Sequence, residues 1–173
     1  DRRDSLGDPG SGGLIVLVIG SLGGEVHAFP PEGLRYIRTM NQYRICKRVT
    51  GAAKIPIDPI HISPMCRVRD TAAAAFPGRD FMVDKQLMYT ANLTVDQKVP
   101  ILEHTRQLLS GPVAPGHNLL VIAHGPNLAD LTGYFPKEAT LVVFQPAAAT
   151  GFRYVASIRP ELWSKLVGKN VAR

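Results

Sequence analysis

The sequence predicts a single three-layer α/β domain with a mostly parallel central sheet and helices on both faces of that sheet. Two runs of mainly branched aliphatic residues, LIVLVI at 14–19 and NLLVIA at 118–123, have the composition of strands that are buried on both faces. Segments with helical spacing of apolar residues alternate with strand candidates along the chain, which is the pattern of an α/β fold. A length of 173 residues, 45% of them apolar, suits one domain of this class.

The first half of the chain begins with a polar, charged and glycine-rich stretch at residues 1–13, which we expect to be a flexible lead-in to a single domain at 14–173. Glycines end the first strand, and the pair Pro30-Pro31 allows no helix to start before Glu32. The elements predicted next are a helix at 32–49 with one apolar and one basic face, a strand at 60–63, a helix from Pro64 through residue 75, and a short strand at 80–83.

The sequence of the second half of the chain predicts one long helix and three further strands. Thr94 and Gln97 have the spacing of a capping box, and Pro100 indicates either a kink or a later start with the proline in the first turn. Gly111-Pro112 ends this helix. The remaining elements are strands at 118–123, 140–144 and 152–158, a short helix that follows His124-Gly125-Pro126 and runs to about Leu131, and a terminal helix that begins at Pro160.

The composition argues against several classes of protein. The longest apolar run is far shorter than the ~18 residues of a membrane-spanning helix, so we predict no membrane span. The formal net charge of +6 favours anionic ligands only weakly, and the basic face of the 32–49 helix has no aromatic stacking platform, so we predict no nucleic-acid partner. Cys46 and Cys66 lack the spacing of a zinc or redox site; we expect core thiols, with a disulfide between them only in an exported protein.

Three segments directly follow predicted strands, at the edge of an α/β sheet where ligands gather. These segments are Gly20-Ser21, residues 63–67, and His124-Gly125. Arg67 falls in the first turn of its helix, where a guanidinium beside backbone N–H groups suits a phosphate, although a solvated surface arginine has the same spacing. His124 is either a hydrogen-bond donor, acid/base or nucleophile in a cleft, or a structural cap of the next helix. The other histidines have no ligand spacing, so we predict no metal.

Two of these segments resemble motifs of the histidine phosphatase superfamily, which has the phosphoglycerate-mutase-like fold. Residues 63–72, SPMCRVRDTA, resemble the family's S-P-L-x-R-A-x-x-T-A segment, and residues 121–127, VIAHGPN, are similar to its strand that ends in V-x-H-G. Residues 151–163 resemble the closing strand and final turn of small bacterial members. The resemblance covers about residues 14–163 and implies the same three-layer fold in a soluble protein of the bacterial cytoplasm or periplasm.

The family's mechanism, as the resemblance implies it, begins with an R-H-G triplet after the first strand, whose histidine becomes a phosphohistidine that water hydrolyses. Two arginines and a second histidine bind the phosphoryl oxygens, and Arg67 and His124 match one of these arginines and that second histidine. Ile19 and Gly20 stand where the triplet has its arginine and its nucleophilic histidine. The segment LMYT at 87–90 has no carboxylate that could protonate the leaving group, and Asp84 is the nearest candidate.

We therefore expect a histidine-phosphatase-like protein that keeps a pocket for a small anionic or phosphorylated ligand and whose phosphatase activity is lost or repurposed. The pocket residues are Arg67, His124, Gly20, Ser21 and Gly125, with His124 as the acid/base of any repurposed reaction. The alternative is an active phosphohydrolase that uses His124 or an activated water on a small phosphorylated substrate. We predict no cofactor, because the glycines of GSLGG at 20–24 lack the G-x-G-x-x-G spacing of a dinucleotide site.

Overall fold

The structure, a computed structural model, describes residues 14–19, 55–147 and 151–166, with the backbone alone for residues 14–19. Parts of the predicted organisation lie outside the described residues. These parts are the lead-in at 1–13, the helix at 32–49, Gly20-Ser21 and Cys46.

Six strands in the described part of the chain form one sheet that positions the candidate site. They are β1 (Leu14–Ile19), β2 (Ile57–Ile62), β3 (Met82–Val83), β4 (Asn118–His124), β5 (Thr140–Pro146) and β6 (Phe152–Ile158). Their order across the sheet is β3-β2-β4-β1-β5-β6. The pairs β3–β2, β2–β4 and β4–β1 are parallel, whereas the pairs β1–β5 and β5–β6 are antiparallel. The prediction of a mostly parallel sheet with the two long aliphatic runs as neighbouring strands is confirmed.

Helices cover both faces of the sheet. They are α1 (Cys66–Ala75), α2 (Val95–Ser110), α3 (Gly125–Thr132) and α4 (Pro160–Leu166), with a 3₁₀ turn at Lys85–Leu87. Successive strand residues point to opposite faces, so Ile122 packs with Val68 of α1 on one side. Val121 packs on the other side with Leu109 of α2 and Leu128 of α3. The three-layer α/β/α architecture is therefore confirmed, and both faces of β4 are buried.

Helix α1 begins two residues after the predicted start at Pro64. The Ser63 N–H donates to the Ile122 carbonyl over 3.0 Å and continues the ladder past the end of β2. Met65 keeps an extended backbone (φ −65°, ψ 135°) as the N-cap, and the helix follows at Cys66. This tight connection leaves Ser63 at the edge of the sheet, directly below the first turn of the helix.

The expectation that Cys66 is a core thiol is wrong, because its side chain is exposed. The buried face of α1 consists of Val68, Thr71, Ala72 and Ala75. Cys66 lies two residues, or about 200° of helical rotation, before Val68 and so points away from the sheet.

Helix α2 begins at Val95 with the predicted capping box. The Thr94 N–H donates to Gln97 Oε1 over 3.0 Å, and the Gln97 N–H donates to Thr94 Oγ1 over 3.4 Å. These reciprocal bonds fix the helix start upstream of Pro100, which lies inside the helix. The alternative of a later start at the proline is therefore wrong.

Among the described residues, none of the helices has both the length and the apolar character required to cross a membrane.

Candidate functional site

The candidate site lies where two neighbouring parallel strands end. β2 and β4 pair in register up to Ile62 and Ile122, so the residues that follow both strands meet at the same edge. Ser63 follows β2, and His124 is at once the last residue of β4 and the N-cap of α3. The first turn of α1 brings Arg67 to the same place. Three of the residues singled out in the sequence thus converge, although 61 positions separate Ser63 from His124.

The imidazole of His124 is fully buried and contacts a polar partner on each nitrogen. Its Nε2 lies 2.7 Å from Ser63 Oγ, and its Nδ1 lies 3.3 Å from Nη2 of Arg67. A guanidinium can only donate, so Nδ1 must accept that hydrogen bond. The proton of the neutral ring is therefore on Nε2, from where it is donated to Ser63 Oγ. This assignment leaves the hydroxyl proton of Ser63 uncommitted.

The charge state of His124 follows from the same surroundings. Burial lowers the pKa of the imidazole, and the neighbouring Arg67 cation lowers it further, from 6.5 to about 3. The ring is thus neutral over the whole physiological range of pH. In this state it has no proton on Nδ1 to donate and little basicity with which to accept one.

Arg67 is oriented by two contacts and retains unused donor capacity. One face of its guanidinium lies over the ring of Tyr89, with Cζ 4.9 Å from the ring centroid. Its Nη2 donates to His124, whereas its Nε–H is buried without a hydrogen-bond partner among the described residues. A buried cationic donor without an acceptor costs free energy that an anion would recover. The solvated-surface interpretation of Arg67 is therefore disfavoured.

Two helix N-termini frame this cluster. Neither α1 nor α3 has a side-chain hydrogen bond from its N-cap residue, and neither has an acidic residue in its first turn. Their first backbone N–H groups consequently keep their positive potential for another acceptor. The combination of Arg67 with two uncapped N-termini is an arrangement that suits an anion of the size of phosphate.

Tyr89 forms a wall of the site and was not among the residues predicted from the sequence. Its ring contacts the guanidinium of Arg67 and meets the His124 ring edge-on, with centroids 5.3 Å apart. The expectation for LMYT concerned a carboxylate, whereas the aromatic residue of that segment is the one that reaches the pocket. Ser63 was placed in the correct segment, but its bond to His124 was not foreseen.

Asn127 fixes the segment that carries Tyr89. Its Nδ2 donates to the Met88 carbonyl over 2.7 Å, and its Oδ1 accepts from the Thr90 N–H over 3.1 Å. The side-chain amide thereby binds the backbone on both sides of Tyr89, and Asn127 itself is 2% exposed. Thr90 is tied in turn to Asp130 of α3 through its hydroxyl, over 2.7 Å. We name this set of bonds the Asn127 clasp.

Asp84, the sequence candidate for a general acid, takes part in a different cluster. Its carboxylate accepts hydrogen bonds from Nε2 of His104 (2.6 Å) and from the Gln86 N–H (2.9 Å), and it lies 3.6 Å from Nδ1 of His61. Burial raises the pKa of Asp84, but these bonds outweigh that effect and hold it below the ordinary value. An acid of this kind is deprotonated at neutral pH, which argues against a role as proton donor.

The remaining candidates concern the glycine-containing loops. Gly125 is buried at the start of α3, and a Cβ built there would lie 3.0 Å from Cζ of Phe135. The close approach of this ring explains the glycine by packing. Gly20 and Ser21 lie outside the described residues, but Ile19, which precedes them, pairs with His124 in the sheet register. Strand β1 therefore ends level with His124.

No protein-family profile matches the sequence, and no curated protein is significantly similar to it. Solved structures do share the architecture. One is the protein histidine phosphatase SixA complexed with tungstate, with a TM-score of 0.56 and 14% identity, covering 85% of this chain and 97% of SixA. A mycobacterial glucosyl-3-phosphoglycerate phosphatase has a TM-score of 0.55 and 16% identity, covering 84% and 96%. A phosphoglycerate mutase from Plasmodium falciparum has a TM-score of 0.53 and 14% identity, covering 84% and 90%.

Proposed function

On the premise that the chain has the histidine-phosphatase, phosphoglycerate-mutase-like fold, we propose that it binds a phosphate-sized anion between Arg67 and His124 and has no ordinary phosphohistidine chemistry. The ligand is a small anionic or phosphorylated molecule. Gly125 and the segment at Gly20-Ser21 complete the pocket, and phosphatase activity is lost or repurposed.

The observation that carries this proposal is the buried Nε–H of Arg67, which has no partner among the described residues. It lies beside two helix N-termini that lack side-chain caps and acidic residues in the first turn. An anion at this place would accept hydrogen bonds from the guanidinium and from backbone N–H groups, and it would offset the positive charge of the half-buried Arg67. The SixA structure, which contains tungstate, supports the same chemistry for a protein of this fold.

Two features support the absence of ordinary phosphatase chemistry. By the family resemblance, Ile19 and Gly20 replace an arginine and the nucleophilic histidine, and neither can attack phosphorus. His124 does not substitute for that nucleophile, because its ring is buried, bonded through both nitrogens and of low basicity. Arg67 and His124 would bind a ground-state phosphate about as well as a transition state, and such uniform binding does not accelerate a reaction.

A second candidate function is hydrolysis with His124 as the general base. The distance of 2.7 Å between Ser63 Oγ and His124 Nε2 matches a nucleophile–base pair. In a catalytic triad, however, the other ring nitrogen donates to a carboxylate that stabilises the imidazolium. Here that nitrogen faces the cation of Arg67, which destabilises the imidazolium instead. The Ser63–His124 pair therefore fits ligand binding better than base catalysis.

Calorimetric titration with phosphate, sulfate and tungstate tests the proposal. We expect binding by the wild-type protein and its loss in Arg67→Ala. Arg69→Ala is the matched control, because this arginine lies on the same helix, is exposed, and points about 200° away from Arg67. It removes an equal charge and should retain binding.

Several outcomes would overturn the proposal. The absence of binding would exclude an anion site, and binding that is indifferent to Arg67→Ala would place the site elsewhere. Rapid hydrolysis of an aryl phosphate that disappears in His124→Ala would establish the second candidate function. Hydrolysis that survives both His124→Ala and Arg67→Ala would show that the catalytic site lies in another part of the molecule.

A further inference from the structure

We propose that Ser63 is a positioning residue that allows the neutral His124 ring to move its proton from Nε2 to Nδ1 when an anion binds. The inference rests on the proposed anion binding and adds how a histidine without a proton on Nδ1 becomes a donor to the ligand. The geometry that carries it is the placement of the His124 ring between two partners: Nδ1 is bonded to Arg67, and Nε2 is bonded to Ser63.

Without an anion, the guanidinium of Arg67 determines the direction of both hydrogen bonds of the His124 ring. Arg67 donates to Nδ1, so the ring proton is on Nε2 and is donated to Ser63 Oγ. An anion between Arg67 and His124 conflicts with this state, because it would face the lone pair of Nδ1. A productive contact requires a proton on Nδ1.

His124 has two ways to acquire that proton. The ring can become an imidazolium, which its complete burial and the adjacent Arg67 cation oppose. Alternatively it can change tautomer, which adds no charge but requires a hydrogen-bond donor opposite Nε2. The second way depends on whether the partner of Nε2 can reverse its role.

The hydroxyl of Ser63 is able to make this reversal. A serine hydroxyl accepts and donates equally well, and rotation about the Cβ–Oγ bond interchanges the two without moving a heavy atom. Ser63 is fully buried, and its own backbone is held by the bond to the Ile122 carbonyl. Its Oγ also lies 3.5 Å from the Met65 N–H, at the limit of a hydrogen bond. Both tautomers of His124 are therefore satisfied at Nε2 from one fixed oxygen position.

The exchange balances in protons and charge. One proton leaves Nε2 to solvent, one is taken up at Nδ1, and the Ser63 hydroxyl proton turns towards Nε2. Nη2 of Arg67, released from Nδ1, joins the Nε–H of the same guanidinium as a donor to the anion. Of the described groups that contact the ring, the ionisable ones are Arg67 of α1 and Tyr89 of the loop before α2. Neither needs to change its protonation.

The direct test is ¹⁵N NMR of the histidine rings of the wild-type protein at neutral pH, with tungstate or phosphate as the added anion. We expect Nε2 of His124 to carry the proton before addition and Nδ1 to carry it at saturation. Calorimetry with tungstate, which does not titrate near neutral pH, in two buffers of different ionisation enthalpy should give equal binding enthalpies, because no net proton is taken up.

Variants of the hydroxyl provide the second test. Ser63→Ala removes the donor for Nε2, and we expect anion affinity to fall about tenfold, the equivalent of one hydrogen bond. Ser63→Thr retains a hydroxyl and should restore most of that affinity together with the tautomer change. Ser110→Ala is the control, because the Ser110 hydroxyl donates to a carbonyl of its own helix.

The outcomes separate this inference from the proposed function. Anion binding with the proton remaining on Nε2, or with net proton uptake, overturns the tautomer change while leaving the anion site intact. Full affinity in Ser63→Ala overturns the positioning role. A complete lack of anion binding overturns the proposed function itself. The NMR measurement uses the wild-type protein, so it decides the question even when a variant fails to fold.

Discussion

Arg67 donates a hydrogen bond to Nδ1 of His124 over 3.3 Å, and this contact determines which nitrogen of the buried ring carries the proton. A carboxylate in the place of Arg67 would put the proton on Nδ1 and make the ring a base towards Ser63. The observed cation does the opposite. A pair of residues with the spacing of a catalytic dyad thus lacks the carboxylate that would make its histidine a base.

The first prediction concerns catalysis. We expect the wild-type protein to hydrolyse an activated aryl phosphate at or near the uncatalysed rate, because glycine at position 20 supplies no nucleophile. Ile19→Arg combined with Gly20→His should raise the rate above that of the wild type and of Gly20→His alone, since it restores both the nucleophile and a charge. A colorimetric assay of the three proteins measures this. A wild type faster than the double variant would contradict the expectation.

The second prediction distinguishes the charge of Arg67 from its shape. Arg67→Lys keeps the charge but loses the planar fork of donors and the stacking on Tyr89. We expect phosphate affinity to fall about tenfold, the equivalent of about 1.4 kcal/mol. Titration calorimetry beside Arg69→Lys, on the exposed side of the same helix, provides the comparison. Equal affinities of Arg67→Lys and wild type would mean that only the charge is used.

The third prediction is a dependence of stability on pH that comes from His124. Its folded-state pKa is about 3 and its unfolded-state value is 6.5. As pH falls below 6.5 the unfolded chain takes up a proton that the folded chain does not, so stability present above that pH is progressively lost down to about pH 3. Between about pH 7 and about pH 5 this amounts to about 2 kcal/mol.

Urea unfolding of the wild type and of His124→Gln at these two pH values isolates the contribution of His124 to the pH dependence of stability. The glutamine variant cannot titrate at this position, so its stability should fall less over the same interval. Parallel losses in the two proteins would show that His124 is not buried as a neutral ring.

The fourth prediction concerns the Asn127 clasp. Asn127→Ala leaves the Met88 carbonyl and the Thr90 N–H without their partner, and we expect the free energy of unfolding to fall by roughly 1–3 kcal/mol. Anion affinity should fall as well, because Tyr89 is no longer held against Arg67. Asn92→Ala in the same loop is exposed and serves as control, with an expected change within about 0.5 kcal/mol. A stable Asn127→Ala variant with unchanged affinity would contradict the role of the clasp.

Local sequence patterns were sufficient to predict the mostly parallel sheet and two residues of the candidate site. The aliphatic runs identified β1 and β4 as neighbours, and the rule that ligands gather at strand ends picked out Arg67 and His124. Tyr89 could not be found in this way, because its position depends on the side chain of Asn127. That side chain bonds the backbone of Thr90 and of Met88, which lie 37 and 39 positions before Asn127 in the chain. No periodicity in a sequence encodes such a contact.

The error at Cys66 has a related cause. The burial preference of cysteine assigned its thiol to the core. Its exposure is decided instead by the helix, which starts at Cys66 rather than at Pro64 and turns the side of Val68 towards the core. The start of the helix was in turn moved by the bond from Ser63 to strand β4. A hydrogen bond between distant segments thus determined where the helix begins, and local helix propensity contains no information about such a bond.

The Asn127 clasp also has a mechanical consequence. His124 is the N-cap residue of α3 and Asn127 lies in the first turn of that helix, so the wall formed by Tyr89 is tied to the helix that begins beside His124. Arg67 belongs to α1 on the opposite face of the sheet. A shift of α1 along the sheet would therefore move Arg67 while every bond of the clasp stays intact. Arg67 is thus the part of the pocket that can adjust to ligands of different size without breaking the bonds that hold Tyr89.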